Sequence, residues 1–134
     1  MAVRFALDSD VLIDLFAGRE PAGTVIPNLL EMDLAGTTAI TVYELYAGAA
    51  SSVDRRDLDE FLATLTILPL DARSARHAGA VDLSLRRKGQ RINPGDNLIA
   101  GICLARNLAL VTGNVRHFRR VANLRVVTLE DLSG

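Results

Sequence analysis

Short β-prone runs alternate with helical patterns along the whole chain, and this alternation limits the possible folds more than any other feature. The β-prone runs occupy residues 3–7, 37–41, 66–70, 108–112 and 124–129. Apolar residues between these runs recur at intervals of three and four, the spacing of a helix with one buried face. Strands that alternate with helices favour a parallel sheet covered by helices. We therefore predict an α/β fold: a three-layer sandwich with a mostly parallel central sheet of about five strands.

The length and composition predict one compact domain that spans residues 1–134. Hydrophobic residues make up 49% of the chain, and the mean hydropathy of +0.23 argues against disorder. The net charge of −1 excludes a strongly basic nucleic-acid-binding protein on total charge alone. The single cysteine, Cys103, excludes a disulfide within the chain and a cysteine-rich metal site.

Two sequence features bear on where the protein acts and whether it acts alone. Asp8 and Asp10 interrupt any signal-peptide core, and no apolar stretch of the sequence is long enough to span a bilayer. We therefore expect a cytoplasmic protein with no membrane contact. Residues 25–34 offer apolar faces that a core of this size is not expected to absorb, and exposed apolar surface of that kind marks interfaces.

Three polar residues, Asp8, Ser9 and Asp10, stand where the first predicted strand passes into a helix. In α/β folds this position, at the carboxyl end of a strand, is where ligands bind. Ser9 or Asp10 also fits the simpler role of a helix N-cap. A cap requires one such residue, whereas this turn has three, so the stretch is a candidate site as well as a helix start.

Other polar residues occupy equivalent places in the predicted fold. Glu44 follows the second strand and precedes the small residues Ala47 and Gly48 by one helical turn, which leaves room over its carboxylate. Asp96 opens a helix and, taken alone, is typical of a plain N-cap. Asn114 follows the fourth strand, where an asparagine in a turn is unremarkable.

These polar residues are expected to converge, because the carboxyl ends of parallel strands share one edge of the sheet. Converging carboxylates repel each other unless a cation neutralises them or one of them is protonated. Oxygen ligands without cysteine or a histidine pair favour Mg²⁺ or Mn²⁺. The chemistry that suits such a site is hydrolysis of phosphate esters.

With these features, the sequence resembles the PIN-domain family and, within it, the VapC-type toxins of bacterial toxin–antitoxin pairs. The matching stretches are residues 7–13, 44–48, 96–100 and 110–118, and their order and spacing fit over the whole chain. The resemblance implies a PIN-like fold and a metal-dependent endoribonuclease that cleaves RNA phosphodiesters with Mg²⁺ or Mn²⁺. It also implies a homodimer that is silenced by a cognate VapB-type antitoxin.

The resemblance further assigns roles to individual positions. It implies a catalytic, metal-binding triad formed by Asp8, Glu44 and Asp96. Ser9 and Thr112 would be the hydroxyls that support the triad. Asn114 stands where many relatives carry a fourth acid, so this site has one negative charge fewer and Asn114 would assist the triad. We interpret Asp10 as a helix cap first and a ligand second.

Cations near the acids are candidates for RNA contact. One group follows the fourth strand and comprises Arg116, His117, Arg119 and Arg120. A second group precedes Asp96 and comprises Arg86, Arg87, Lys88 and Arg91. Both groups also fit ordinary solvated helix ends. Because phosphate contacts carry no sequence information, these residues do not predict which RNA is cleaved.

Three other classes of protein fit parts of the pattern. Asp8 and Asp10 satisfy the opening of haloacid-dehalogenase-like phosphatases, with Asp8 as nucleophile and Lys88 beside the phosphate, but Glu44 is then unused and Asp96 lacks a neighbouring acid. A receiver domain requires a lysine near the last strands, whereas Lys88 is the chain's only lysine. A PIN-like module that binds RNA or a partner without cutting would not require three converging carboxylates.

Overall fold

The computed structural model describes residues 2–134, apart from the side chains of residues 52 and 53, so residue 1 of the predicted domain lies outside the described part. Its strands are β1 (Phe5–Leu7), β2 (Ala35–Thr38), β3 (Thr66–Leu68), β4 (Ala109–Val111) and β5 (Val126–Val127). They form one sheet in the order β3-β2-β1-β4-β5, and every neighbouring pair is parallel. The prediction of an α/β fold with a five-stranded parallel sheet is confirmed.

Helices connect these strands on both sides of the sheet. Within residues 2–134 they are α1 (Ser9–Phe16), α2 (Ala22–Glu31), α3 (Ala39–Ala47), α4 (Ser52–Leu62), α5 (Ala72–Arg87), α6 (Pro94–Arg106), α7 (Val115–Phe118) and α8 (Leu129–Leu132). None of these helices is both long and apolar enough to cross a bilayer.

The alternation of side chains along the strands divides the core into two layers. Leu7 and Val111 belong to a cluster that also contains buried side chains of α1, α2 and α4. Their neighbours Ala6 and Leu110 belong to a second cluster on the opposite face, built on α6. A third cluster joins α5 to α6. The predicted three-layer sandwich is therefore confirmed.

The second strand ends earlier than predicted. Residues 37–41 were expected to be extended, but β2 ends at Thr38 and α3 begins at Ala39. The Oγ1 atom of Thr38 accepts a hydrogen bond of 3.0 Å from the backbone N–H of Thr41, which caps the helix. This cap overrides the β-propensity of the following residues, and it starts the helix that carries Glu44.

The end of the chain also differs from the prediction. The fifth strand is shorter than the predicted 124–129, because Leu129 already belongs to α8. Thr128 opens that helix in a capping box: its hydroxyl accepts from the N–H of Asp131, whose carboxylate accepts from the N–H of Thr128. Helices α7 and α8 were not predicted, since four residues are too few to show a helical period.

The expectation that residues 25–34 leave apolar faces uncovered is largely wrong. Val25, Ile26 and Leu29 are buried in the core. Large exposed apolar side chains occur instead on α1 and α3, at Ile13, Phe16 and Tyr43, as well as at Met32 and elsewhere.

Candidate active site

Asp8 links the carboxyl ends of the neighbouring strands β1 and β4. It is the N-cap of α1, it is 6% exposed, and its Oδ1 atom accepts a hydrogen bond of 2.8 Å from the N–H of Ser9. Its Oδ2 atom accepts a hydrogen bond of 2.7 Å from the buried hydroxyl of Thr112. Leu7 and Val111 lie opposite each other in the sheet, so Asp8 and Thr112 leave adjacent strands at the same edge. The hydroxyl of Thr112 therefore fixes one carboxylate oxygen of Asp8.

Asp10 is not the helix cap that the sequence suggested, since Asp8 occupies that position. Its Oδ1 atom accepts from the N–H of Val11, and its Oδ2 atom accepts from the N–H of Gly113, both at 2.8 Å. A Cβ atom at position 113 would lie 2.7 Å from that Oδ2 atom, so a side chain there would displace the carboxylate of Asp10. Asp10 thus ties the start of α1 to the loop that follows β4.

Glu44 reaches the first turn of α6 from α3. A Cβ atom at Gly95 would lie 3.7 Å from the Oε2 atom of Glu44, an ordinary contact distance, so the carboxylate lies beside the start of α6. The Oε1 atom of Glu44 is buried and has no hydrogen-bond partner among the described residues. Burying a carboxylate oxygen without a hydrogen-bond partner costs free energy of folding. A cation or a water molecule bound to this oxygen would remove that cost.

Asp96 lies in the first turn of α6. The simpler interpretation of Asp96 as the N-cap of this helix is wrong. The N-cap is Asn93, whose Oδ1 atom accepts a hydrogen bond of 3.0 Å from the N–H of Asp96. The sequence Asn93-Pro94-Gly95 therefore starts the helix and leaves the side chain of Asp96 uninvolved in capping. Asp96 is only 8% exposed and lies in the first turn of the helix, near the positive end of its dipole.

Burial and neighbouring acids raise the pKa of each of the three carboxyl groups. Burial, followed by the charges of Asp8 and Asp10, raises the pKa of Asp96 to about 6. Burial and the charges of Asp8 and Asp96 also raise the pKa of Glu44, although a hydrogen bond from Ser9 opposes the rise. Burial is the main cause of a raised pKa at Asp8, against the lowering effect of its hydrogen bond from Thr112. The charge of Asp8 acts on both Glu44 and Asp96, which indicates that these acids lie near one another as predicted.

The residues present suit a divalent cation. Every potential ligand of the cluster is an oxygen atom, the donor type that Mg²⁺ and Mn²⁺ prefer, and the unpartnered Oε1 atom of Glu44 is available. Within residues 2–134 no three acidic, histidine or cysteine side chains are gathered tightly enough to form a complete metal cage. The donor type and charge of the acids thus fit such an ion, and the three carboxylates are not gathered around one point in this structure.

Asn114 adjoins this edge through Thr112. The N–H of Asn114 donates a hydrogen bond of 3.0 Å to the Thr112 hydroxyl, which in turn donates to Asp8. Asn114 precedes α7, yet its side chain makes no capping hydrogen bond. Asn114 is half-buried, and its side chain is not used to cap α7.

Some of the cationic side chains predicted to contact RNA already form hydrogen bonds or ion pairs within the chain. Arg116, His117 and Arg119 are exposed on and after α7. Arg120 instead donates from Nη1 to two carbonyl oxygens of the α5–α6 loop. In the second group, Arg86 and Arg91 both pair with Asp82, at 3.9 and 3.3 Å respectively.

Sequence reasoning missed several residues that position the site. Thr37 donates from its buried hydroxyl to the carbonyl oxygen of Leu7, 2.7 Å away, directly before Asp8. Thr38 and Asn93 cap the helices that carry Glu44 and Asp96. Asn97 is buried beside Asp96, and its Oδ1 atom has no hydrogen-bond partner among the described residues. The signal available in the sequence was a cap residue three positions before a first-turn residue.

Comparisons with known proteins agree with this arrangement. Residues 5–124 match the family model of the PIN domain. The chain is 32% identical over 127 residues to the tRNA(fMet)-specific endonuclease VapC of Shigella flexneri, a match that covers 92% of this chain and 96% of that protein. Its fold is similar to VapBC2 from Rickettsia felis, solved bound to a DNA fragment from their promoter (TM-score 0.85, 25% identity, 94% of this chain and 98% of that one). DNA-bound VapBC from Salmonella typhimurium gives a TM-score of 0.81 at 27% identity, covering 96% and 99%.

Proposed function

The chain belongs to the PIN-domain family, and from that premise we propose that it is a metal-dependent endoribonuclease, the toxin of a VapBC-type toxin–antitoxin pair. The single observation that best supports a cleaving role is the placement of three buried or half-buried acids together, with the charges of Asp8 and Asp96 raising the pKa of Glu44. A phosphatase of the haloacid-dehalogenase type would leave Glu44 unused, whereas Glu44 is coupled to both Asp8 and Asp96. We propose that residues 1–134 act as one ribonuclease domain.

The acidic edge would bind Mg²⁺ or Mn²⁺ through Asp8, Glu44 and Asp96. When bound, such an ion supplies Lewis acidity toward the phosphodiester and its attacking water. Thr112 holds one oxygen of Asp8 in place, which leaves less freedom for that carboxylate to turn away from the ion. Asn114 contributes an uncharged polar group beside Asp8, so it assists without adding to the repulsion. The substrate is RNA in which the scissile phosphate is accessible, as in single strands and loops.

We propose a VapB-type antitoxin and a second copy of the chain as protein partners, in the cytoplasm. The solved relatives from Rickettsia felis and Salmonella typhimurium are complexes named VapBC. In this chain a groove of about 520 Å³ adjoins Glu44 and is lined by apolar residues of α1, α3 and α4 together with Asp54 and Asp57. Ile13 and Phe16 on its rim are half exposed, which is apolar surface that a partner would cover.

The cleavage proposal is tested with the purified full-length chain, freed of any antitoxin. Total RNA is incubated with the protein in Mg²⁺, in Mn²⁺ or in EDTA. Discrete cleavage products are expected with either ion and not with EDTA. Cleavage that persists in EDTA, or no cleavage under any of the three conditions, contradicts the proposal. Light scattering of the same sample at micromolar concentration tests the homodimer, which a monomer would contradict.

A further inference from the structure

Helix α5 carries a face of cationic and small side chains that the acidic site does not use. At 3.6 residues per turn, six positions of this helix fall within an arc of roughly 100°. They are Arg73, Arg76, His77, Ala80, Ser84 and Arg87. The one acid of the helix, Asp82, lies on the opposite side, where it pairs with Arg86 and Arg91. This face therefore carries positive charge without an acid of its own.

Two adjoining cavities form a groove along this face, and they share His77 and Ala80. The first, of about 400 Å³, lies between α5 and residues 120–123, which contribute Arg120 among others. The second, of about 340 Å³, extends the groove to Arg73 and Arg76. Among the residues that the structure describes, no Asp or Glu lines either cavity. We call the two together the α5 groove.

The charge at the far end of the α5 groove is not neutralised within the described residues. Arg73 and Arg76 are exposed, and neither forms an ion pair with a described acid. Asp71, the acid nearest to them in sequence, is already engaged by Arg106 at 3.1 Å. These two guanidinium groups are therefore available to an anion from outside the chain.

The end of the α5 groove at Arg120 is connected by hydrogen bonds to the loop that precedes α6. Arg120 donates from Nη1 to the carbonyl oxygens of Gln90 and Arg91, at 3.4 and 3.3 Å. These residues run into α6, whose first turn carries Asp96. From Ser84 to Arg73 the groove follows α5 for roughly 17 Å at about 1.5 Å per residue. That length matches about five nucleotides of a stacked strand, at roughly 3.4 Å each.

We propose that the α5 groove binds the phosphate backbone of the RNA substrate at a distance from the cleavage point, an inference that rests on the proposed ribonuclease function. The positive lining suits a polyanion, and two copies of the groove would repel each other across a dimer interface. The small side chains of Ala80 and Ser84 let a sugar–phosphate backbone approach the helix. Because phosphate contacts position RNA without reading sequence, the groove raises affinity for long RNA and leaves the choice of cleavage sequence unchanged.

The test compares two double variants that remove the same charge. Arg73→Gln/Arg76→Gln neutralises the far end of the groove. Arg4→Gln/Arg56→Gln is the matched control, since both arginines are exposed and unpaired among the described residues but lie before β1 and on α4. Binding of a transfer RNA mixture is measured at several salt concentrations, with Asp8→Asn added to each protein to prevent cleavage. Cleavage of long RNA and of a short oligonucleotide is measured without that change.

We expect the groove variant to bind the RNA mixture roughly tenfold more weakly, with a salt dependence shallower by about 1.5 in the log–log slope for two lost phosphate contacts. Cleavage of long RNA should fall at low RNA concentration, whereas cleavage of the oligonucleotide and all properties of the control variant stay unchanged. If the affinity and the slope are unchanged while the wild type cleaves RNA, the proposal that the α5 groove binds RNA is wrong. The proposed ribonuclease function is then unaffected. Absence of cleavage by the wild type instead overturns the proposed function, while the binding comparison still decides the groove. A groove variant that loses its dimer in light scattering but keeps its RNA affinity also overturns the proposal.

Discussion

At the scale of single residues, Asp96 differs from an ordinary first-turn aspartate in that its carboxylate is buried without a capping role. Asn93 supplies the cap, so burial and neighbouring charges act on Asp96 without compensation. The sequence predicted where the acids lie, because Asp8 and Glu44 come after predicted strands and Asp96 opens a predicted helix. It could not predict which residue caps α6, since Asn93 and Asp96 are both good cap residues and only the geometry of the intervening turn decides between them.

The raised pKa of Asp96 predicts a pH-dependent cost in stability. Its folded-state value of about 6 lies above the ordinary 3.8, so the folded state holds the proton more tightly. Stability from this group is fully present below about pH 4 and is lost as the pH rises through about 6, a loss of roughly 3 kcal/mol. Asp96→Asn should therefore unfold at a higher temperature than wild type at pH 7.5 in EDTA. Thermal melts from pH 4 to 8 check this, and a gap that does not change with pH contradicts it.

The cap at Asn93 predicts a second, separable effect. Asn93→Ala removes the acceptor of the Asp96 N–H and should destabilise the chain by about 1 kcal/mol, whereas Asn93→Asp should restore most of the loss. Asn114→Ala is the matched control, because Asn114 precedes α7 without a side-chain capping bond. Denaturant titration measures all three variants. Equal losses at both asparagines would show that the Asn93 side chain does not act as the cap.

At the scale of elements, the contact between α5 and α6 depends on a glycine. A Cβ atom at Gly101 would lie 2.5 Å from the carbonyl oxygen of Ser74 and 2.7 Å from the Cβ atom of Ala78. The helices therefore approach each other too closely at this point for any side chain on α6. This approach matters for the site, because α6 carries Asp96 and α5 lines the proposed groove.

Gly101→Ala should separate the two helices and destabilise the protein by roughly 1–3 kcal/mol, the usual cost of overpacking. Gly79→Ala is the control on α5 itself, since a Cβ atom there has nothing within 4 Å. That change should stabilise the helix by roughly 0.5–1 kcal/mol. Chemical denaturation distinguishes the two variants by sign. A Gly101→Ala protein as stable as wild type would mean that the helices are not in such close contact.

Strand β1 was predictable because its apolar residues alternate, and helix α4 because its apolar residues recur at helical spacing. The predicted boundaries were wrong where a polar side chain determines the position at which a helix begins. Thr38 turns a β-prone run into a helix by accepting a backbone hydrogen bond, and Thr128 does the same at the start of α8. Both contacts depend on how neighbouring strands place the chain, which a local pattern does not contain.

At the scale of the whole molecule, the parallel sheet brings acids from three distant parts of the sequence to one edge, where they repel. A divalent ion bound there would relieve that repulsion, so Mg²⁺ should raise the melting temperature at pH 7.5. A ligand at 100 times its dissociation constant stabilises the folded state by about 2.7 kcal/mol. Differential scanning calorimetry with Mg²⁺ and with EDTA tests this for wild type and Asp8→Asn. The account predicts a stabilisation in wild type that is reduced in the variant, and equal shifts in both contradict it.

The most direct test of the acidic edge removes one charge at a time and measures RNA cleavage. Asp8→Asn and Asp96→Asn keep the shape of each side chain, and asparagine is as good a helix cap as aspartate. Asp14→Asn is the matched control on α1, where the carboxylate pairs with Arg19 at the surface. With Mg²⁺ or Mn²⁺ and total RNA, the account predicts that the first two variants remain folded and lose at least a hundredfold in cleavage rate, roughly the cost of removing one charged catalytic group, while Asp14→Asn cleaves like wild type. Full activity in Asp8→Asn or Asp96→Asn would contradict the account.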